Sequence, residues 1–582
     1  MRHEYAWRSL ALTLLLAFIS VAILVQMIRI QYSPEAEVFR AQAEQYSGKW
    51  QTFYPERGEI YDRNGHLLAG NEAVYTVGVN IAEMEDAHTI ALTLNTYLGL
   101  NYDDVIQGLL NPGELSFVTL ASYIEAEDTA VLMELQKKMA ADALAINRRS
   151  ALDGLEFQPH LQRSYPENAL ASNMLGFVNR EGKGYFGVEE KYNDLLAGNP
   201  VQVWVPEDPN RAAEIPRIPN GTTLVLTIDR DLQAAAEQSL DNAMYEYGAH
   251  NGAIVIIDPR TGEVLAMATT PRMDLNQFWN YPYIYDQSYK FNPAISMQYE
   301  PGSVFKILTM AAGLDTGTVT PGTYFNDTGA IEVGGALIQN WDRRPWGTQD
   351  MIGCLQHSLN VCHAWISTSM GEGNFYRYMN NFGIGHPTGI DLAGETPGYI
   401  KHPGDIDYYP VELGTNAFGQ GVAVTPIQML TAATPLANEG RLIIPHVLYA
   451  MVRDGRQFNI APINGGNPVS AQTARTLSEM LAISLENEAS MALVPGYRVA
   501  GKTGTAQIPI DGYYDPYSVN ASFIGWGPVD APQFMIYVWL ERPTVSQWAN
   551  DTAAPLFSEI AQKTVILLNI PPDAVRLQLA NQ

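Results

Sequence analysis

The chain has 582 residues, 46% of them apolar and 17% charged, which excludes both a disordered chain and one buried wholly in a membrane. Asp and Glu number 62 against 35 Lys and Arg, a net charge of -27, so the basic footprint that nucleic acid demands is absent. Two cysteines, Cys354 and Cys362, exclude a disulfide framework and a Cys-rich metal scaffold, and the length allows roughly two to four domains.

Residues 10–25 carry no charge, with Thr13 and Ser20 as their only polar side chains, and Gln26, Met27 and Ile28 extend the run. About 20 such residues cross a hydrocarbon core as a helix. A cleaved signal peptide is the competing reading, but no small-x-small cleavage site follows. Arg2 and Arg8 precede the span and Arg29 and Arg40 follow it, so flanking charge decides little. A short head and a long following chain favour a signal anchor with the bulk exported.

Residues 32–47 mix Ala, Glu and Gln in a stalk-like pattern that predicts a helix. Asn64-Gly65 predicts a two-residue hairpin turn, because both tolerate positive φ. The alternation at 74–79 predicts the strand that follows. From 87 to 145, apolar residues such as Leu94, Leu98, Leu132 and Leu135 recur at helical spacing and predict a helical head. The Gly-punctuated stretch 182–198 contains a helical segment at 188–192. Pro206, Pro209, Pro216 and Pro219 then mark a domain boundary.

Beyond it, 253–257 and 264–268 read as two buried strands joined by a turn at 258–262, an antiparallel hairpin. Three more strands are expected at 500–507, 522–526 and 534–540, followed by an amphipathic helix at 555–568. Strands at both ends with helices between predict one antiparallel sheet covered by helices, an α+β domain.

Pro301-Gly302 marks a turn, so a helix is expected to begin near Ser303. Ser303 and Lys306 are then i and i+3 on one helix face. A serine hydroxyl is a weak nucleophile until a base takes its proton, and a lysine desolvated by an apolar helix can be that base. The bland alternative makes Ser303 an N-cap and Lys306 a solvated charge. Ser358-Leu359-Asn360 adds a hydroxyl and a carboxamide. Lys502-Thr503-Gly504-Thr505 lies on a predicted strand, where Gly504 permits close approach of a ligand backbone.

Ser-x-x-Lys, Ser-x-Asn and Lys-Thr-Gly in this order resemble the motifs of penicillin-binding proteins and class A β-lactamases. The chain resembles the class B penicillin-binding proteins, monofunctional D,D-transpeptidases of bacterial cell-wall synthesis, over nearly its whole length. Arg57-Gly58-Glu59-Ile60-Tyr61-Asp62-Arg63-Asn64-Gly65, Arg163-Ser164-Tyr165-Pro166 and Gly184-Tyr185-Phe186-Gly187-Val188-Glu189 look like their N-terminal pedestal signatures. Glu300-Pro301-Gly302-Ser303, Phe418-Gly419-Gln420-Gly421 with Thr425-Pro426, and Ala554-Pro555-Leu556-Phe557 match their transpeptidase domain. No glycosyltransferase signature precedes residue 220, unlike class A, and the small C-terminal repeats of some relatives are not expected here.

The resemblance implies a serine β-lactamase/penicillin-binding transpeptidase fold, an antiparallel five-stranded sheet flanked by helices. It also implies an elongated pedestal and one transmembrane helix, with boundaries at 1–8 (cytoplasmic head), 9–28 (span), 29–219 (pedestal), 220–570 (transpeptidase) and 571–582 (tail). Ser303 is expected to attack the carbonyl between two terminal D-alanines of a stem peptide, and an amine on a neighbouring stem to take the acyl group. Lys306 is the expected base, and Ser358, with Lys502 nearby, the proton relay. Asn360 and Thr503 are expected to bind the substrate peptide and its carboxylate. The N–H groups of Ser303 and Thr505 are the expected oxyanion hole, each such donor being worth roughly 3 kcal/mol. No metal or organic cofactor is implied. Penicillins are expected to acylate Ser303, and a polytopic membrane glycan polymerase with other division or elongation proteins is the expected partner. Asn416-Ala417-Phe418-Gly419-Gln420-Gly421 looks more like the division subgroup.

Leu359 replaces a small or polar residue of most relatives and is expected to alter the rim of the site. Cys354, His357, Cys362 and His363 do not follow a usual zinc spacing, so buried thiols are expected. A disulfide is not expected, because eight residues of continuous helix separate Cα atoms by about 12 Å. Residues 513–517 either overhang the site or form a solvated loop.

Overall fold

The computed structural model describes residues 2–33, 36–38, 48–206, 216–285, 290–488, 490–510 and 512–580. Most of the helix expected at 32–47 lies outside these residues, as does Pro209.

Two compact units are present, one of them made of residues 1–56 and 198–220. It holds α1 (Arg2–Gln31) and an antiparallel ribbon of Gly48–Phe53 with Val201–Pro206, in which Trp50 and Trp204 meet edge to face at 5.7 Å. Residues 7–31 of α1 are long and apolar enough to cross a membrane. Their Leu, Ile and Val side chains are exposed around the helix.

The other unit comprises residues 57–197 and 221–582. Its N-terminal part contains β1 (Ile60–Tyr61), β2 (Leu67–Asn80), α2 (Ala87–Leu98), α3 (Tyr102–Leu110), β3 (Phe117–Glu125), α4 (Ala126–Ala145) and β4 (Leu155–Ser164). The expected hairpin exists: Asp62 Oδ1 accepts the N–H groups of Asn64 and His66 and pins the turn between β1 and β2. The helical head needs a correction, since β3 interrupts it and pairs with β2. Phe117, Val118 and Thr119 are aromatic or β-branched, and an edge of β2 is available to them.

Three pedestal segments far apart in sequence meet at one carboxylate. Glu189, fully buried, takes Arg57 Nη2 at 2.6 Å on one oxygen and Arg163 Nε at 2.7 Å on the other. Arg163 Nη1 also donates to Gly58 O at 2.8 Å, and Tyr165 Oη to Glu189 at 3.3 Å.

Next along the chain come β5 (Thr223–Leu226), α5 (Arg230–Tyr247), β6 (Asn251–Ile257), β7 (Val264–Thr269), α6 (Lys306–Asp315), α7 (Met351–Gln356) and α8 (Asn360–Met370). They are followed by α9 (Pro426–Ala437), β8 (Leu448–Arg453), β9 (Arg456–Asn459), α10 (Ala471–Asn487), β10 (Ala500–Ile510), β11 (Tyr513–Gly527), β12 (Phe534–Glu541) and α11 (Ala553–Leu567). One sheet runs β9-β8-β5-β1-β2-β3, with β4 also on β2. The other is the expected antiparallel five-stranded sheet, in the order β7-β6-β12-β11-β10.

Alternation along these strands sends side chains into two cores. Ile254, Ile256 and Val538 pack with Leu232 of α5 and Leu556 of α11. Val255, Tyr537 and Trp539 belong to the core that contains Ile307 of α6 and Leu430 of α9. Helix α6 is buried from Lys306 to Gly313, so it runs through the interior.

Replacing Glu189 by Gln leaves two nearly buried guanidinium groups without a counter-charge. We expect a loss of about 3–5 kcal/mol, measured as a lowered urea midpoint. An unchanged midpoint would show that the network contributes nothing to stability.

Candidate active site

Gly302–Phe305 forms one 3₁₀ turn, and α6 continues it from Lys306. The expected helix start is therefore a tighter turn, with Lys306 N–H donating to Ser303 O. Gly302 has φ +59°, and a Cβ there would lie 2.9 Å from Ala506 Cβ and 3.1 Å from Thr505 O. The glycine thus lets the turn lie against β10. A Cβ on Gly504 would likewise meet Ser522 Oγ at 2.6 Å, Val304 Cγ1 at 2.8 Å and Pro301 O at 3.0 Å. Ser303, half-buried, therefore sits on a turn pressed against the Lys-Thr-Gly strand. Its N–H lies in an opening turn, where helix amides lack intrahelical acceptors.

Lys306 is fully buried. Its Nζ donates to Ser358 O at 2.6 Å, Asn360 Oδ1 at 2.8 Å and Ser358 Oγ at 3.1 Å, and Phe418 presents its ring 6.0 Å away. Burial, reinforced by the charge of Lys502, holds the Lys306 pKa well below the usual lysine range. Three acceptors suit an ammonium. Once one proton leaves, Ser358 Oγ is the partner that can turn from acceptor to donor, because a carbonyl and a carboxamide oxygen only accept.

Lys502 donates to Thr503 Oγ1 at 3.2 Å, and burial lowers its pKa to about 8 against the opposing pull of Glu488. Thr503 and Thr505 are half-buried, and Thr505 Oγ1 accepts the Ala549 N–H at 3.1 Å. Lys306, Ser358 and Asn360 are joined by hydrogen bonds, and the 502–505 strand flanks the Ser303 turn. The side-chain bonds of Lys502 run to its neighbour Thr503.

Two expectations are corrected here. Leu359 is fully buried in the core and contributes nothing to the rim. Cys354 and Cys362 are joined in a disulfide, their Cα atoms 6.1 Å apart. The helix assumed for that distance is broken: Ser358 takes φ +52° between α7 and α8, and Leu359 is extended. The fold thereby brings together residues that a continuous helix would separate.

Residues 513–517 open strand β11, with Tyr514 paired to Pro509. Tyr514 Oη donates to Glu300 Oε1 at 3.1 Å, three residues before Ser303, and Gly421 N–H donates to the same oxygen at 3.0 Å. Burial raises the Glu300 pKa. The sequence reading also passed over Trp341 and Trp548, which are 53% and 45% exposed with rings 5.5 Å apart. Trp341 Nε1 donates to His357 O beside Ser358, and Trp548 precedes Ala549, which is bonded to Thr505. They bridge the two walls of the site. No local pattern marks them, because the pair forms across some two hundred residues of chain (341 to 548).

The penicillin binding protein transpeptidase domain family matches residues 252–562, and the penicillin-binding protein dimerisation domain family matches 52–210. Stage V sporulation protein D of Bacillus subtilis is 31% identical over 533 residues, covering 89% of this chain and 79% of its own. The chain belongs to the class B penicillin-binding proteins. The penicillin-binding protein PbpB of Mycobacterium tuberculosis is 33% identical over 434 residues, covering 70% of this chain and 62% of its own. Among solved structures, penicillin-binding protein 2X of Streptococcus thermophilus shares the fold at TM-score 0.74 and 22% identity, over 89% of this chain and 80% of that one. Penicillin-binding protein 3 of M. tuberculosis aligns at TM-score 0.68 and 26% identity, over 90% and 98%.

Within this class B site, Gly302→Ala tests the contact between the serine turn and β10. The added methyl group and the positive φ together are expected to cost about 1–3 kcal/mol, read as a lowered melting temperature. A melting curve identical to wild type would mean that the turn is free to shift away from the strand.

Proposed function

We propose that this chain is a penicillin-sensitive peptidoglycan D,D-transpeptidase working through an acyl-enzyme on Ser303. The observation that carries the reading is the buried Lys306 amine, one turn after Ser303 and hydrogen-bonded to Ser358 and Asn360. Relatives named as probable peptidoglycan D,D-transpeptidases support it, such as PbpC of Pseudomonas aeruginosa at 27% identity. So do the solved complexes of M. tuberculosis penicillin-binding protein 3 with aztreonam and ampicillin.

In this reading Lys306, neutral, takes the Ser303 proton as Oγ attacks the carbonyl of the penultimate D-alanine. Ser358 Oγ–H, already beside Lys306 Nζ, gives its proton to the departing D-alanine amine and takes the Ser303 proton from Lys306, which becomes neutral again. Lys502 supplies positive potential at the same wall, Thr503 and Thr505 hold the substrate carboxylate, and Gly504 lets its backbone lie along β10. The N–H groups of Ser303 and Thr505 stabilise the developing oxyanion. Asn360 orients the peptide, and an amine from a second stem completes the crosslink. No metal or organic cofactor takes part in this scheme.

The proposed division of the chain places a cytoplasmic head at 1–8, a single span at 9–28, a pedestal at 29–219, the extracytoplasmic transpeptidase domain at 220–570 and a tail at 571–582. α1 would anchor it in the cell membrane and, with the pedestal, meet a polytopic glycan polymerase of the division machinery. The segment 416–421 favours septal over elongation duty.

Labelling of the full-length protein with a fluorescent penicillin is expected to give a stable adduct on the peptide containing Ser303, absent in Ser303→Ala. No label on folded wild type overturns the reading, and a label lost rapidly by hydrolysis reassigns the protein as a β-lactamase.

The pH dependence carries a second expectation. The base must be neutral, so acylation slows as pH falls through the pKa of Lys306, about tenfold per unit on the acid limb. The depressed pKa places that limb well below that of an ordinary lysine, and its midpoint belongs to the coupled Lys306–Lys502 pair. An acid limb centred near pH 10 would show that the Lys306 amine is not depressed by burial, and the absence of any acid limb would remove Lys306 as the base.

A further inference from the structure

The wall of the site that holds Ser358 and Asn360 is closed covalently on itself. Cys354 sits in α7 and Cys362 in the first turn of α8, both fully buried and eight residues apart. All three acceptors of the Lys306 ammonium, Ser358 O, Ser358 Oγ and Asn360 Oδ1, belong to residues inside this bracket.

The bracketed loop has a conformation that needs holding. Ser358 occupies the left-handed region at φ +52°, where a side chain is disfavoured. Two hydrogen bonds tie the next residue to the same helices. Leu359 N–H donates to Cys354 O at 3.0 Å, and the buried His363 donates from Nδ1 to Leu359 O at 2.8 Å. The disulfide adds the covalent tie between those helices.

We propose that the Cys354–Cys362 disulfide is a positioning element of the active site, holding Ser358 and Asn360 within hydrogen-bond reach of Lys306 Nζ. A purely stabilising role is the weaker reading. The closed loop is short, and the entropy that a crosslink removes from the unfolded chain grows with loop length. The surrounding domain is already held by a five-stranded sheet packed between two cores. Losing the tie therefore acts on the loop and its lysine more than on the fold.

The proposal rests on Ser303 and Lys306 acting as described above, and the experiment separates the two. Full-length wild type, C354A/C362A and C354V/C362V are compared in detergent for thiol content after denaturation, melting temperature, and penicillin acylation resolved into noncovalent affinity and the first-order acylation constant. Wild type should titrate no free thiol. Both variants should fold and lose at least tenfold in the first-order constant, with a smaller change in noncovalent affinity. The valine pair replaces the buried volume without the crosslink, so it should recover melting temperature but not acylation. Two free thiols in wild type overturn the proposal, as does a valine pair that acylates within twofold of wild type. If the alanine pair does not fold, the valine pair alone decides. Wild type that is never acylated would instead overturn the role of Ser303.

Discussion

A primary amine in the protein interior is the constraint on which the rest of the site depends. Lys306 is fully buried, and an unpaired ammonium there costs several kcal/mol. The fold offsets this with three oxygens from Ser358 and Asn360, all neutral, so the amine is solvated without a counter-charge. A carboxylate in their place would lock the proton on. Neutral acceptors, burial and the nearby Lys502 together leave a lysine that gives up its proton readily. The surrounding architecture serves this arrangement: α6 is buried from Lys306 to Gly313, and Gly302 and Gly504 remove the side chains that would keep the serine turn and β10 apart.

The pedestal solves a comparable problem in the opposite way. Glu189 is fully buried, and both of its oxygens meet arginine, so charge is answered with charge. Arg57, Arg163 and Glu189 come from three segments, each carrying one of the pedestal signatures, and the ion pairs bind those segments to one another. A neutral substitute would leave both guanidinium groups without a counter-charge. The contrast with Lys306 is between a buried charge answered by opposite charge and a buried amine answered by neutral oxygens alone.

Much of the catalytic domain was legible because its signals are local. The Val, Ile and Ala runs at 253–257 and 264–268 declare buried strands, and Ser303 and Lys306 share a helical turn whichever turn type is used. Other features depend on contacts that no window of sequence contains. β3 is a strand because β2 offers it an edge, while flanking helical periodicity hides it. Leu359 looks like a rim residue beside Ser358 until the break at Ser358 turns its side chain into the core. The same break converts an excluded disulfide into a formed one, because one residue at positive φ changes a distance that helix geometry had set.

By itself, the sequence determined the apolar N-terminal span, the five-stranded antiparallel sheet, the three motifs and the chemistry that each residue type permits. These follow from periodicity, turn chemistry and functional groups, which are properties of short stretches of chain. Tertiary structure alone decided the environment of each group: the three acceptors around Lys306, the Trp341–Trp548 bridge across the site, the link from Tyr514 to Glu300, and the closure of Cys354 on Cys362. Proton affinity and orientation depend on burial and on neighbours distant in sequence, so they exist only once the chain has packed.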